Sequence, residues 1–340
     1  MTSLSDVAKR AGVSIATASL VLRGMKRFTP EIERRVRTAA RELDYRPNRA
    51  ARALRTGESR TLGVLAPDIA NPFFPGLMKR LEAKARELGY AIVLMDANES
   101  VDEEREAIAA LDAYGVDGVV WIPVADQALQ RPNAPVVVVD RRIDGYDSVQ
   151  SDHAMGGRLL GQHALELGHR RIGLVSGPQH LSSAQLRRSG LLAQCEAGLE
   201  VGWETFEPFG TELGPGTLAR LAERSVSLVV CGNDLQAIAV ARALRDMDLR
   251  VPEDVAVAGY DDIVFASLHE PPLTTIRQPV EAIASEALRL LMARLHDPSL
   301  AVRSVALAVE LKRRGSVAPL VTAGPDGEDT ATQGPTVEAA

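Results

Sequence analysis

Seven short, mostly apolar runs separated by segments of helical periodicity constrain this chain more than any other feature. They lie at 62–66, 91–95, 118–122, 136–139, 171–175, 227–231 and 255–259. A strand covered by helices on both faces is apolar almost throughout, whereas a half-exposed strand alternates. Runs of this kind, alternating with helical patterns such as 75–88, predict a parallel, doubly wound α/β architecture. The pattern pauses after 139 and restarts at 171, so two such lobes are expected. A chain of 340 residues also exceeds what a single core serves. Ligands of such sheets bind in the crevice beyond the strands' carboxyl ends.

The first sixty residues do not follow this pattern. Residues 5–12 read as a short helix capped by Ser5, with Val7, Ala8 and Ala11 apolar and Gly12 ending it in a left-handed turn. Ser14 caps a second helix that turns Ala18, Val21 and Leu22 inward, and the two make a helix-turn-helix. Thr29-Pro30-Glu31 opens a third helix reaching about Leu43, a cap followed by a first-turn proline and an acid. Residues 1–60 hold 14 Lys/Arg against 6 Asp/Glu, a net +8. The remainder holds 25 against 39, a net −14. A basic head on an acidic body is the charge layout of a protein that offers one end to a polyanion.

The run Asp6-Val7-Ala8-Lys9-Arg10-Ala11-Gly12-Val13-Ser14, followed by Thr17, Ser19, Val21 and Leu22, resembles the headpiece of LacI/GalR transcriptional regulators. Tyr45-Arg46-Pro47-Asn48 and Ala51-Arg52-Ala53-Leu54-Arg55 resemble that family's linker, and the likeness continues to about Ser316. It implies a headpiece at 1–46, a linker with a hinge helix at 47–59, and a two-lobed effector-binding and dimerisation domain at 60–316. The first lobe is expected at about 60–159 plus 280–297, and the second at about 160–279 plus 298–316. The tail, 317–340, rich in Gly, Pro, Thr and acids, is expected to be disordered.

By resemblance the partner is a palindromic double-stranded operator. Ser14 opens the helix laid in the major groove, and Ile15, Ala16 and Leu20 reach base edges. All three are apolar, where the family commonly has a polar or basic residue at the position of Leu20, so readout through thymine methyls and DNA shape is expected. Arg23 replaces a usual asparagine. Arg10, Thr17, Ser19, Tyr45, Asn48 and Arg52 look like phosphate-positioning residues. The segment 48–55 is too short for a stable isolated helix and should order only with a partner. In the family it enters the minor groove, with Leu54 as the wedge and Arg55 beside it. A two-fold operator implies a homodimer.

Polar residues cluster where the predicted strands end: Asn71, Phe73 and Phe74, Asp140 and Arg141, His153, Arg187, Asn233, Asp261, and Gln278. The carboxylates accept hydrogen bonds, the arginines donate, and the amides do both, which suits the hydroxyls of a monosaccharide. Phe73 or Phe74 would cover a ring face. The set resembles that of ribose-type binding proteins except at His153, where those have asparagine, leaving open a different hydroxyl or a phosphate. A sugar effector is therefore expected, with a purine or nucleoside as the rival. The alternative for Asn71 and Asp234 is a helix cap, and for Asp152 a structural acceptor. Neither Cys195 nor Cys231 fits a metal or redox spacing, and no catalytic motif is apparent, so no cofactor, metal or enzymatic activity is expected. Met1–Asp6 has neither a basic start nor an apolar stretch, and no run approaches a bilayer's span, so a cytoplasmic location is expected.

Overall fold

The computed structural model describes residues 2–22, 28–45, 58–126 and 130–320. Arg23, Asn48, Arg52, Leu54 and Arg55, with most of the linker and tail, lie outside the described residues. The chain divides into two compact units, residues 1–60 and 61–340.

The first unit holds three helices: α1 (Leu4–Ala11), α2 (Ile15–Leu22) and α3 (Pro30–Glu42). Val7, Ala8, Ala11, Ala18, Val21, Val36, Ala39 and Ala40 form its buried core. Small side chains let three short helices approach closely. The cap of α1 is Ser3, not Ser5: Asp6 Oδ2 accepts from Ser3 N at 2.9 Å, and Ser3 Oγ accepts from Asp6 N at 3.3 Å. This reciprocal box has an acid three residues after the cap, a partner Ser5 lacks. Gly12 takes the left-handed conformation at φ 63°, and the Arg35 guanidinium donates to the Ala11 and Gly12 carbonyls beside it. Ser14 Oγ accepts from Thr17 N at 3.0 Å and Thr29 Oγ1 from Ile32 N at 3.5 Å, so both expected caps form.

The second unit contains two sheets. The first consists of β1 (Thr61–Ala66), β2 (Ala91–Asp96), β3 (Gly118–Trp121), β4 (Val136–Val139), β5 (Asp147–Ser151) and β11 (Ser304–Leu307), in the order β11-β5-β4-β3-β1-β2, all parallel. The second consists of β6 (Arg171–Ser176), β7 (Glu200–Phe206), β8 (Leu228–Cys231) and β9 (Ala256–Ala258), in the order β7-β6-β8-β9 and also parallel. A two-stranded antiparallel pair, β10 (Thr275–Arg277) with β12 (Glu310–Lys312), extends it through bridges from Ala258 to Thr274 and Asp261 to Arg277. Around the first sheet lie α4 (Phe73–Glu87), α5 (Val101–Tyr114) and α11 (Val280–His296); around the second lie α6 (His153–Glu166), α7 (Ser182–Leu192), α8 (Pro215–Ala222), α9 (Asp234–Asp246) and α10 (Val264–Leu268).

Two lobe boundaries differ from the sequence reading. β11 pairs with β5, Ser304 opposite Ser148 and Leu307 opposite Ser151, so residues 304–307 complete the first sheet rather than the second lobe. Helix α6 packs along α7 from His153 onward, so the second lobe begins near 153 and not 160. Consequently the chain passes between sheets three times: between β5 and α6, between β10 and α11, and between β11 and β12.

The α6–α7 contact fixes the site. A Cβ added at Gly157 would run into the Arg187 carbonyl, and one at Gly190 into the Ala154 carbonyl. The two helices therefore meet backbone to backbone, which sets His153 and Arg187 side by side.

Candidate functional site

In the first unit, α2 turns an open face outward. Ile15 is 50% exposed; Ser14 and Ala16 are exposed, while Thr17, Ser19, Leu20 and Tyr45 are half-buried. Ser14 and Thr17 are partly engaged with each other, their hydroxyls 2.9 Å apart. Arg10, expected on phosphate, pairs with Glu42 at 2.9 Å on the surface and ties α1 to α3.

In the second unit, the carboxyl ends of both sheets carry a continuous polar chain. Arg141 donates to the Asp140 carboxylate and, through Nη1, to Ser183 Oγ at 2.7 Å. His153 Nε2 lies 3.1 Å from Asp140 Oδ1. Arg187 Nε faces His153 Nδ1 at 3.4 Å, and its Nη1 reaches the Gly232 carbonyl at 2.7 Å and Asp261 Oδ1 at 3.1 Å. Gln278 Nε2 donates to Asp261 Oδ1 at 2.7 Å, and its Oε1 accepts from Ser151 Oγ at 2.7 Å. Asp140, Arg141, Ser151, His153, Arg187, Asp261 and Gln278 are all buried. Arg187 also lies over the Tyr260 ring, 3.9 Å from its centroid, and 5.4 Å from that of Phe209.

The two site carboxylates end their strands in strained backbone. Asp140 has φ 63° and Asp261 φ 108°, conformations that cost a non-glycine residue energy and cluster at functional sites. Their charges differ. Burial alone would lift the Asp140 carboxyl, but Arg141, helped by His153 and Arg187, holds it well below the usual range. For Asp261 burial wins over Arg187 and Gln278 and pushes it up to about 6. Burial also lowers His153 against the pull of Asp140, which keeps its imidazole neutral at neutral pH. With Arg187 donating to Nδ1, the proton is assigned to Nε2.

Beside this network, Asn233 Nδ2 and the Tyr260 hydroxyl are buried without a hydrogen-bond partner among the described residues. Such atoms are rare and costly in a folded interior, and a bound molecule is one way to satisfy them. The Asn233 carbonyl oxygen caps α9 by accepting from Gln236 N at 2.9 Å, which leaves its amide nitrogen to donate.

Asn71, Phe73 and Phe74 follow β1, on the same sheet edge as Asp140. Asn71 Oδ1 accepts from Phe73 N at 3.1 Å, and the phenyl rings meet edge to face at 5.3 Å. No direct bond among the described residues joins these three to the polar chain. Asp152 caps α6 through Met155 N at 2.8 Å. Asp234 is a buried acceptor for Ile263 N at 2.9 Å and Thr275 Oγ1 at 2.5 Å. Sequence reasoning missed Ser183 and Asp126, whose Oδ1 lies 3.7 Å from Arg141 Nε. Asp126 follows the apolar stretch 118–125 across Pro123 and Ser183 sits at a helix start, and only the tertiary fold brings the two together at the strand ends.

No cluster of three or more His, Cys, Asp or Glu side chains that could hold a metal ion occurs among the described residues. No helix among them is long and apolar enough to cross a membrane.

A helix-turn-helix unit joined to two parallel-sheet lobes with a polar cleft defines a DNA-binding regulator with a ligand-binding body. Residues 3–48 match the model of bacterial regulatory proteins of the lacI family, and residues 162–317 that of a periplasmic binding protein-like domain. The ribose operon repressor of Escherichia coli (strain K12) is 34% identical over 331 residues, covering 93% of this chain and 100% of that one. The HTH-type transcriptional repressor PurR of Serratia proteamaculans (strain 568) is 32% identical over 332 residues, covering 94% and 97%. The structure of the Lac repressor dimer bound to operator and the anti-inducer ONPF superposes with a TM-score of 0.81 at 26% identity, covering 93% and 99%. The chain belongs to the LacI family of transcriptional regulators.

Proposed function

We propose that this protein is a cytoplasmic, homodimeric repressor that binds an inverted-repeat operator and is switched by a small uncharged sugar. Its work is binding rather than bond-making. The open face of α2 enters the major groove, with Ile15, Ala16 and Leu20 against bases and Thr17, Ser19 and Tyr45 on phosphates. By family resemblance Arg23, Asn48, Arg52, Leu54 and Arg55 add contacts, those of the linker in the minor groove.

The observation that carries the effector assignment is the buried polar network Asp140–His153–Arg187–Asp261–Gln278, with the Asn233 amide nitrogen and the Tyr260 hydroxyl left without partners beside it. Each arginine already faces a carboxylate, Arg141 that of Asp140 and Arg187 that of Asp261. Neither of these two arginines is therefore left over for a phosphate, which carries about −1.5 to −2 charges at neutral pH. His153, neutral between Asp140 and Arg187, adds no positive charge for a phosphate to meet. A purine suits the site less well, because Arg187 covers the Tyr260 face on which a base would stack.

The test combines selection of duplex sites by the purified protein with thermal-shift screening of pentoses, hexoses, their phosphates and nucleosides. An inverted-repeat preference and a melting temperature raised by an uncharged sugar are expected, since a ligand of the native state stabilises it by mass action. No duplex preference in any condition would sink the regulator reading. A shift by nucleosides or sugar phosphates alone would sink the effector assignment.

A further inference from the structure

We infer that Asp126 is a latch across the cleft, a positioning residue that binds the start of α7 and thereby sets Arg141 and Ser183 for the effector. Asp126 follows β3 in the first lobe, whereas α7 belongs to the second. Asp126 Oδ2 accepts the Ser182 backbone N–H at 2.6 Å, and Oδ1 accepts the Ser182 hydroxyl at 2.9 Å. A helix start has amides without partners inside the helix and a partial positive charge, and normally the preceding residue's side chain caps it. Leu181 precedes α7 and makes no such bond. The cap of α7 thus comes from the opposite lobe. Arg141 completes the arrangement, with Nε 3.7 Å from Asp126 Oδ1 and Nη1 donating to Ser183 Oγ at 2.7 Å. Both oxygens of one carboxylate therefore hold the neighbour of Ser183, and the same carboxylate faces the guanidinium that holds Asp140.

The inference rests on the cleft being the effector site, but the latch itself is a property of the protein alone. A two-lobed clamp whose states differ by a few kcal/mol responds strongly to two bonds of this kind, one of them to a charged acceptor.

The test uses the full chain carrying one dye on the exposed Cys195 of the second lobe and another on a cysteine introduced by Tyr114→Cys in the first, diluted into excess unlabelled chain. Cys195 and Tyr114 are exposed, and Cys231 is buried and spared. Two variants break the latch from either side. Asp126→Asn cannot accept at both atoms. Ser182→Pro removes both donors, at a first-turn position that favours proline, after a Leu181 already extended at ψ 123°. Circular dichroism of each variant establishes that the helices remain. Each single variant is expected to lower energy transfer between the lobes and to weaken D-ribose binding about tenfold, the scale of one charge-assisted hydrogen bond. The double variant should lose no more than either single one. Unchanged transfer in both single variants, or losses that multiply in the double variant, would overturn the latch. A wild type that ignores D-ribose counts against ribose as the sugar, and the transfer measurement still decides the latch.

Discussion

At the scale of single residues, the site keeps a carboxylate near its ionisation point at the centre of the binding network. Asp261 is pushed from 3.8 up to about 6 by burial, which Arg187 and Gln278 only partly oppose, with the Asp140 charge adding to the rise. Because the folded value lies above the unfolded one, Asp261 favours the fold fully below about pH 4, and that contribution is lost as the pH rises through 6. Ligand binding runs the other way. Only the ionised form can accept hydroxyls at both oxygens, so sugar affinity should fall from pH 7 to pH 5, approaching tenfold per unit below about 6. Calorimetric titration across that range checks this, and Asp261→Asn should bind weakly with a flat profile. Arg187→Ala should weaken the sugar at least about a hundredfold, since it leaves a buried carboxylate unpaired, while operator binding by the free protein persists; a gel shift with and without sugar measures both. Asp140, Arg141 and Asp261 were legible in the sequence because charged residues directly after apolar runs need a partner, and Arg187, inside a helix, was legible through the family resemblance. Asp126 and Ser183 were not, because in a loop or at a helix start these residues have ordinary local uses.

At the scale of elements, the backbone contact between α6 and α7 leaves no room for side chains. Gly157→Ala or Gly190→Ala should therefore push the helices apart, cost about 1–3 kcal/mol or more, and separate His153 from Arg187. Thermal unfolding together with sugar affinity would register both effects; an unchanged melting temperature would contradict the packing. In the head, Ser14→Ala should cost about 1 kcal/mol through the lost cap of α2, measurable by denaturant unfolding, and reduce operator affinity. Most strands, the edge strand β2 included, announced themselves as apolar runs. Of the strands sequence reasoning missed, β7 and β11 are edges, β10 and β12 form the short antiparallel pair, and β5 beside β11 reads Asp-Ser-Val-Gln-Ser. The polar residues of β5 are buried but partnered, Asp147 by Arg294, Ser148 by Ser304 and Ser151 by Gln278, so burial there leaves no apolar signal. The swap of β11 into the first sheet was illegible for a related reason, since pairing partners distant in sequence leave no local mark.

At the scale of the whole molecule, charge is divided between the two units, +8 in residues 1–60 against −14 in the rest. Operator affinity should therefore drop steeply with salt: if a dimer neutralises about six to ten phosphates, it loses on the order of 10³- to 10⁵-fold between roughly 50 and 200 mM. Equilibrium titrations at graded salt give the slope, and a flat dependence would remove the head from the interface. The body carries a different kind of division. Each sheet is assembled from stretches far apart in the chain, with β11 returning to the first lobe after α6 to β10 have built most of the second. A gene cut and rejoined at a single point could never exchange one intact lobe for a relative's, because it would deliver an incomplete sheet. In a lineage of such proteins, a new effector preference has to be reached by substitutions made in place, one side chain at a time, with the strand ends as the ground on which they occur.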